Sequence, residues 1–106
     1  HVDGGYADYL IAPESFTLKM PPELPPRTAA PLLCGGIIGY RSLRICGVRP
    51  GERLGLYGFG AAAHIICQVA VHEGRQVHAF TREGDEAAQR FALIKSAGYK
   101  TYDRHE

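Results

Sequence analysis

From Arg53 onward the chain keeps one rhythm: a short apolar run, a glycine corner, a helical stretch, then another apolar run. "RLGLYG" reads as a strand, and the residues from about Ala61 to Glu73 read as a helix stopped by Gly74. "QVHAF" is the second strand, and about Asp85 to Ala97 the second helix, with Gly98 as its cap. Strands that run the same way need a crossover between them, so this order predicts an α/β fold, a parallel sheet covered by helices. In the last helix Ala87, Phe91 and Ile94 fall at i, i+4 and i+7 and form the expected core-facing stripe.

The first half of the chain has another character. "GYADYLIA" alternates like a half-buried strand, and "SFTLKM" is a second short strand candidate. "PPELPPRTAAP" then concentrates five of the seven prolines in eleven residues and marks a boundary between units. From Thr28 to about Cys46 the residues are small or apolar and are broken by Gly35 and Gly36, which predicts one interrupted helix or two, largely buried. The Pro-Gly of "GVRPGER" makes the turn into the first strand of the α/β part.

With 106 residues, 45% hydrophobic and 22% charged, the chain has the size and composition of one soluble globular domain or parts of two. A formal net charge of +1 gives no reason to expect nucleic acid or an anionic membrane as partner. No run reaches the roughly 18 apolar residues of a membrane span, so a cytoplasmic location is the expectation. The start on "HVDGGYADY" and the stop on "YDRHE" suggest a segment of something longer. Nothing in the sequence excludes a homo-oligomer.

The corner "GFGAAAH" carries the chemistry. It fits G-x-G-x-x-[GA], follows a predicted strand, opens a predicted helix, and precedes a second strand at about 20 residues, as a dinucleotide pyrophosphate turn does. Gly58 would permit the tight turn past Phe59, and Gly60 would let the backbone approach the pyrophosphate. Ala61 and Ala62 would bring unpaired N–H groups, and Ala63 is small enough for the helix to pack on the strand. Together with the helix dipole those N–H groups offer an anion site worth on the order of 1 kcal/mol. No G-K-[ST] follows, which excludes a P-loop. An acidic residue at the end of the second strand would favour NAD, whereas here stand Thr81 and Arg82, a hydroxyl and a guanidinium suited to the 2'-phosphate of NADP.

The cysteines, Cys34, Cys46 and Cys67, are odd in number and far apart, so they encode neither a disulfide framework nor a complete zinc knuckle. Each lies in an apolar setting where a thiol is usually a small buried hydrophobe. His64 reads as a packing or capping residue, and His72 and His78 lack ligand spacing.

Taken together, "GGYADY", "PPELPPRTAAPLLCGGIIGYRSL", "GVRPGERLGLYGFGAAAH" and "QVHAFTR", in that order, make the chain resemble the zinc-dependent alcohol dehydrogenases of the medium-chain dehydrogenase/reductase family. The resemblance implies that residues 1–33 finish a β-rich, GroES-like catalytic domain and that residues 34–106 form the first half of a Rossmann-type parallel sheet. It also implies a role for Cys34, similar in place to a ligand of the family's catalytic zinc. The family's other ligands lie before His1, and one thiolate cannot hold zinc as a catalytic site does. Two positions depart from the family pattern: Ala63 stands where a third glycine is usual, and Ile38 where a threonine near the nicotinamide is frequent.

What the resemblance implies for the complete protein is the interconversion of small alcohols and aldehydes or ketones by zinc-assisted hydride transfer, with NADP favoured over NAD. The 106 residues by themselves are expected to be inactive. Two alternatives use the same corner: a zinc-free quinone or enone reductase of the same superfamily, and a non-catalytic nucleotide-binding module.

Overall fold

A computed structural model describes residues 3–94 and 98–102. The expected rhythm is present: β1 (Arg53–Tyr57), α3 (Ala61–His72), β2 (Gln76–Arg82), α4 (Glu86–Ile94) and β3 (Gly98–Tyr102), preceded by α1 (Pro26–Ala29) and α2 (Gly35–Ile45). The strands form one parallel sheet in the order β1-β2-β3, with Leu54 opposite Val77 and Tyr57 opposite Phe80. β2 runs two residues further than "QVHAF". β3 has no counterpart in the sequence reading, because "GYKTY" is short and bears the glycine that reads as a helix cap. Gly98 opens that strand, and residues 95 to 97, where the helix was expected to end, lie outside the described residues.

One face of the sheet is buried. Leu54, Val77 and Ala79 point into a core completed by Ile66, Cys67 and Ala70 of α3, Leu43 of α2, and Ala88 of α4. Period-two alternation along β2 and the helical spacing along α3 bring these side chains to one layer. Cys67 is fully buried as expected, but Cys46 is exposed, its Sγ donating to the Leu43 carbonyl at 3.1 Å. The stripe on α4 is turned by one position: Ala88 is buried and Phe91 half-buried, while Ala87 is exposed and the side chain of Ile94 lies outside the description.

α2 leans on α3 through glycines. A Cβ on Gly39 would stand 3.2 Å from both the Ala62 carbonyl oxygen and Ile66 Cβ, and one on Gly35 would stand 3.3 Å from Ile65 Cδ1. Glycines four apart share one helix face, so the two backbones approach where any side chain would hold them apart. The expectation of a largely buried helical region is corrected: Gly39 and Leu43 of α2 are buried, while Ile37, Ile38, Tyr40 and Ile45 are exposed. The break lies at Cys34, between a 3-10 turn over Ala30–Leu33 and α2.

The two strands expected before position 21 are absent. Those residues are irregular, with a single 3-10 turn at Glu14–Phe16, and Tyr6, Ile11 and Leu18 are exposed. A strand needs a neighbour to pair its backbone, and among the described residues none is offered.

The amino end of the sheet is sealed by local bonds. At the end of α3 the Arg75 N–H reaches the Ala70 carbonyl at 2.9 Å and the Gly74 N–H that of Val71 at 3.0 Å, with Gly74 at φ 83°, the paired bonds of a Schellman motif. Arg75 Nε donates to the Val48 carbonyl at 2.8 Å and its Nη1 pairs with Glu73, tying the turn before β1 to the helix end.

Candidate functional site

The residues singled out in the sequence gather at the opposite, carboxyl end of the strands. Gly58 leaves β1 at φ 86°, a conformation that disfavours a side chain, and its N–H donates to the Phe80 carbonyl at 2.7 Å. The corner is thereby pinned to β2 just before Thr81 and Arg82. Phe59 turns inward, only 8% exposed, and packs at a tilt on His64 and Phe91 with ring centroids 4.6 and 5.9 Å away. His64 stacks on Phe91 at 4.3 Å, so it is the packing residue its position suggested.

Gly60 is the N-cap of α3, in extended conformation and with no side-chain cap. A Cβ on Gly58 or on Gly60 would meet no atom within 4 Å. The space over the corner is therefore open, and glycine there is not demanded by packing against the rest of the protein. Ala61 is exposed, Ala62 and Ala63 are half-buried, and the first turn of α3 directs its N–H groups toward that space. An open, uncapped helix start behind two glycines fits a pyrophosphate, which would supply the missing acceptors.

Cys34 is brought to the same end. It is exposed, and Gly35 beside it approaches the backbone of Ala62, whose N and Cα would both lie 3.5 Å from a Cβ. Among the described residues no three of His, Cys, Asp and Glu are grouped to hold a metal ion. Cys34 is thus a single donor, and the residues present do not make up a zinc site.

Thr81 and Arg82 part ways. Thr81 is 4% exposed and its hydroxyl donates to Asp85 Oδ2 at 3.0 Å. Arg82 is exposed, with no ion pair among the described residues. Asp85 was not singled out in the sequence beyond opening the helix, although an aspartate three residues before Ala88 and just after a glycine is an N-cap signal. Its Oδ1 accepts the Ala88 N–H at 3.1 Å. That bond first and the Thr81 hydroxyl second hold its carboxyl below the usual value of 3.8, against a smaller upward pull from burial, with the charge of Arg82 adding less than either.

An apolar groove of about 270 Å³ lies along the edge of β1 that has no strand partner among the described residues, between α2 and α3, lined by Ile38, Leu43, Cys46, Leu54, Tyr57 and Ile66 among others. It bears no charged side chain and suits packing rather than phosphate.

The fold and corner can now be set beside known proteins. The chain is 51% identical over 80 residues to the probable alcohol dehydrogenase AdhA of Mycobacterium tuberculosis, covering 76% of this chain and 23% of that one. It is 45% identical over 97 residues to an alcohol dehydrogenase of Geobacillus stearothermophilus, covering 92% and 27%. The chain belongs to the medium-chain dehydrogenase/reductase family. Its fold superimposes on CAD of Helicobacter pylori, solved in complex with NADP(H), with a TM-score of 0.68 and 30% identity over 79% of this chain and 24% of that one. No family model matches. The chain spans about a quarter of the length of these relatives. Within the family's α/β architecture, ligands bind in the crevice at the carboxyl ends of the strands, where the corner and Arg82 lie.

Proposed function

We propose that this chain carries the pyrophosphate and 2'-phosphate half of the NADP site of an alcohol dehydrogenase that interconverts small alcohols and their aldehydes or ketones. The observation that carries the reading is the pairing of an open, uncapped glycine corner on β1 with an exposed guanidinium, without an ion pair among the described residues, at the end of the adjacent strand. Neighbouring parallel strands lie about 4.8 Å apart, so one extended dinucleotide can span both. Held by these residues, the dinucleotide would supply the hydride chemistry, with the reduced form as donor to a carbonyl and the oxidised form as acceptor from an alcohol.

The chain's own residues bind and orient. The N–H groups of Ala61 to Ala63 would meet the pyrophosphate, with Gly58 and Gly60 keeping side chains out of its path. Arg82 would hold the 2'-phosphate through charge-assisted bonds. The alcohol dehydrogenase names of the 51% and 45% identical relatives favour this assignment over the quinone reductase and the non-catalytic module, and the NADP(H) in the H. pylori structure supports the choice of dinucleotide. Residues 1–33 are proposed to finish a catalytic domain, which accounts for their exposed apolar side chains. Cys34 is proposed as one zinc donor, needing partners that the described residues do not supply.

Arg82→Ala tests the cofactor assignment. NADP binding should weaken by about tenfold, the worth of one charge-assisted contact, while NAD binding stays within about twofold. Equal losses for both dinucleotides in a direct titration would remove the 2'-phosphate from Arg82.

A further inference from the structure

Between Thr81 and Asp85 the chain makes a closed loop. Thr81 ends the buried face of β2, Gly84 reverses the backbone at φ 79°, and Asp85 caps α4. One carboxylate closes it: Oδ2 accepts the Thr81 hydroxyl at 3.0 Å and Oδ1 the Ala88 N–H at 3.1 Å. Both partners belong to regular elements, so the carboxylate fastens the end of a strand to the start of a helix. Arg82, Glu83 and Gly84 lie inside the fastened span and are exposed.

Arg82 makes no side-chain hydrogen bond or ion pair of its own among the described residues. Among the described residues its place is therefore set by the backbone of that loop. The Thr81 hydroxyl spends its single proton on Asp85 from a buried position, and so has none to offer a ligand.

We propose that Asp85 is a positioning residue for cofactor choice: through its clip to Thr81 and Ala88 it holds Arg82 where the 2'-phosphate arrives, and Thr81 acts through Asp85 rather than by touching the cofactor. The inference rests on the assignment of Arg82 to the 2'-phosphate. It runs against the simple rule that an acid after the second strand opposes NADP, because both oxygens of this carboxylate are already engaged by the chain.

The test is a double-mutant cycle on the full chain, with NADP and NAD titrated separately. Thr81→Val opens the clip and keeps the carboxylate, and NADP affinity should fall about fivefold, as for the loss of one ordinary hydrogen bond, with NAD unchanged. Asp85→Ala should fall similarly, and adding Thr81→Val to it should cost nothing more. Asp85→Asn can still accept the Ala88 N–H and donate to the Thr81 oxygen, so it should bind NADP at least as well as the parent. Thermal melts by circular dichroism confirm folding for each variant, and Asp85→Asn and Thr81→Val preserve side-chain volume should Asp85→Ala not fold. Additive losses in the double variant, or unchanged NADP binding in Thr81→Val, would overturn the proposal. An unchanged NADP-to-NAD ratio in Arg82→Ala would instead bring down the assignment beneath it, and a lowered ratio there with no effect of Thr81→Val would reject the clip alone.

Discussion

The two strand-to-helix corners of this sheet are built from similar parts and finished in opposite ways. Each has a glycine at positive φ, Gly58 at 86° after β1 and Gly84 at 79° after β2. At the second corner Asp85 caps α4 and takes the Thr81 hydroxyl as well, so the acceptors needed there are supplied by the chain. At the first, Gly60 stands in the cap position without any side-chain bond, and a Cβ there would meet no atom of the described residues within 4 Å. A helix start without a cap loses stability that Ser, Thr, Asp or Asn would have given. The difference separates a corner that the chain closes for itself from one that it leaves uncapped, the one proposed for the pyrophosphate.

Making the corners alike should have the largest effect. Gly60→Asp installs at α3 the residue that caps α4, in an extended conformation that any residue adopts and with no atom within 4 Å of the new Cβ. The fold should be kept and stabilised by a few tenths of a kcal/mol, the usual gain over glycine at an N-cap. NADP binding should fall by at least about 30-fold, or ~2 kcal/mol, because a carboxylate would occupy the pyrophosphate's place. Undiminished binding by calorimetry would mean that the first corner is not the anion site.

Gly39 sharpens the contrast from the side of packing. Its missing Cβ leaves room for α3, with Ala62 O and Ile66 Cβ at 3.2 Å, whereas a Cβ on Gly60 would meet nothing within 4 Å among the described residues. Gly39→Ala should therefore destabilise the chain by about 1–2 kcal/mol in urea unfolding, an ordinary cost of overpacking a helix contact. Its direct effect on NADP should be small once stability is accounted for. Gly60→Ala should show the reverse balance.

This architecture is legible in the sequence unevenly, for physical reasons. β1, α3 and β2 were legible because their hydrophobic periods are clear and Gly58, Gly60 and Gly74 punctuate them. The stripe on α4 was placed one residue off because Ala87 and Ala88 are chemically the same, and only the packing around Phe91 distinguishes them. The early strands were misread because alternation in "GYADYLIA" reports a face meant for burial, not the presence of a partner to pair with. Within the site, the open corner was read from its spacing. The pairing of Thr81 with Asp85 was not, since nothing local says whether a hydroxyl at a strand end faces a ligand or its own chain. The packing role of Gly35 and Gly39 is not legible in the sequence, because close helix approach depends on the opposing helix.

The smallest effect expected concerns how the second corner responds to acid. The Asp85 carboxyl is held below its ordinary value of 3.8 by the Ala88 N–H first and the Thr81 hydroxyl second. Unfolding releases both bonds and returns the group to the ordinary range. A depressed folded value means that the charged form contributes stability that is fully present above about pH 4 and lost as the pH falls through the folded value, below 3.8. Asp85→Asn has no proton to gain, so the stability gap between parent and variant should be flat from neutral pH to about 4 and should move in the variant's favour below that. Paired urea titrations at pH 7, 4 and 3 measure it. A gap that stays constant down to pH 3 would show that the carboxylate is not held by the clip, and the two corners would then differ less than their geometry indicates.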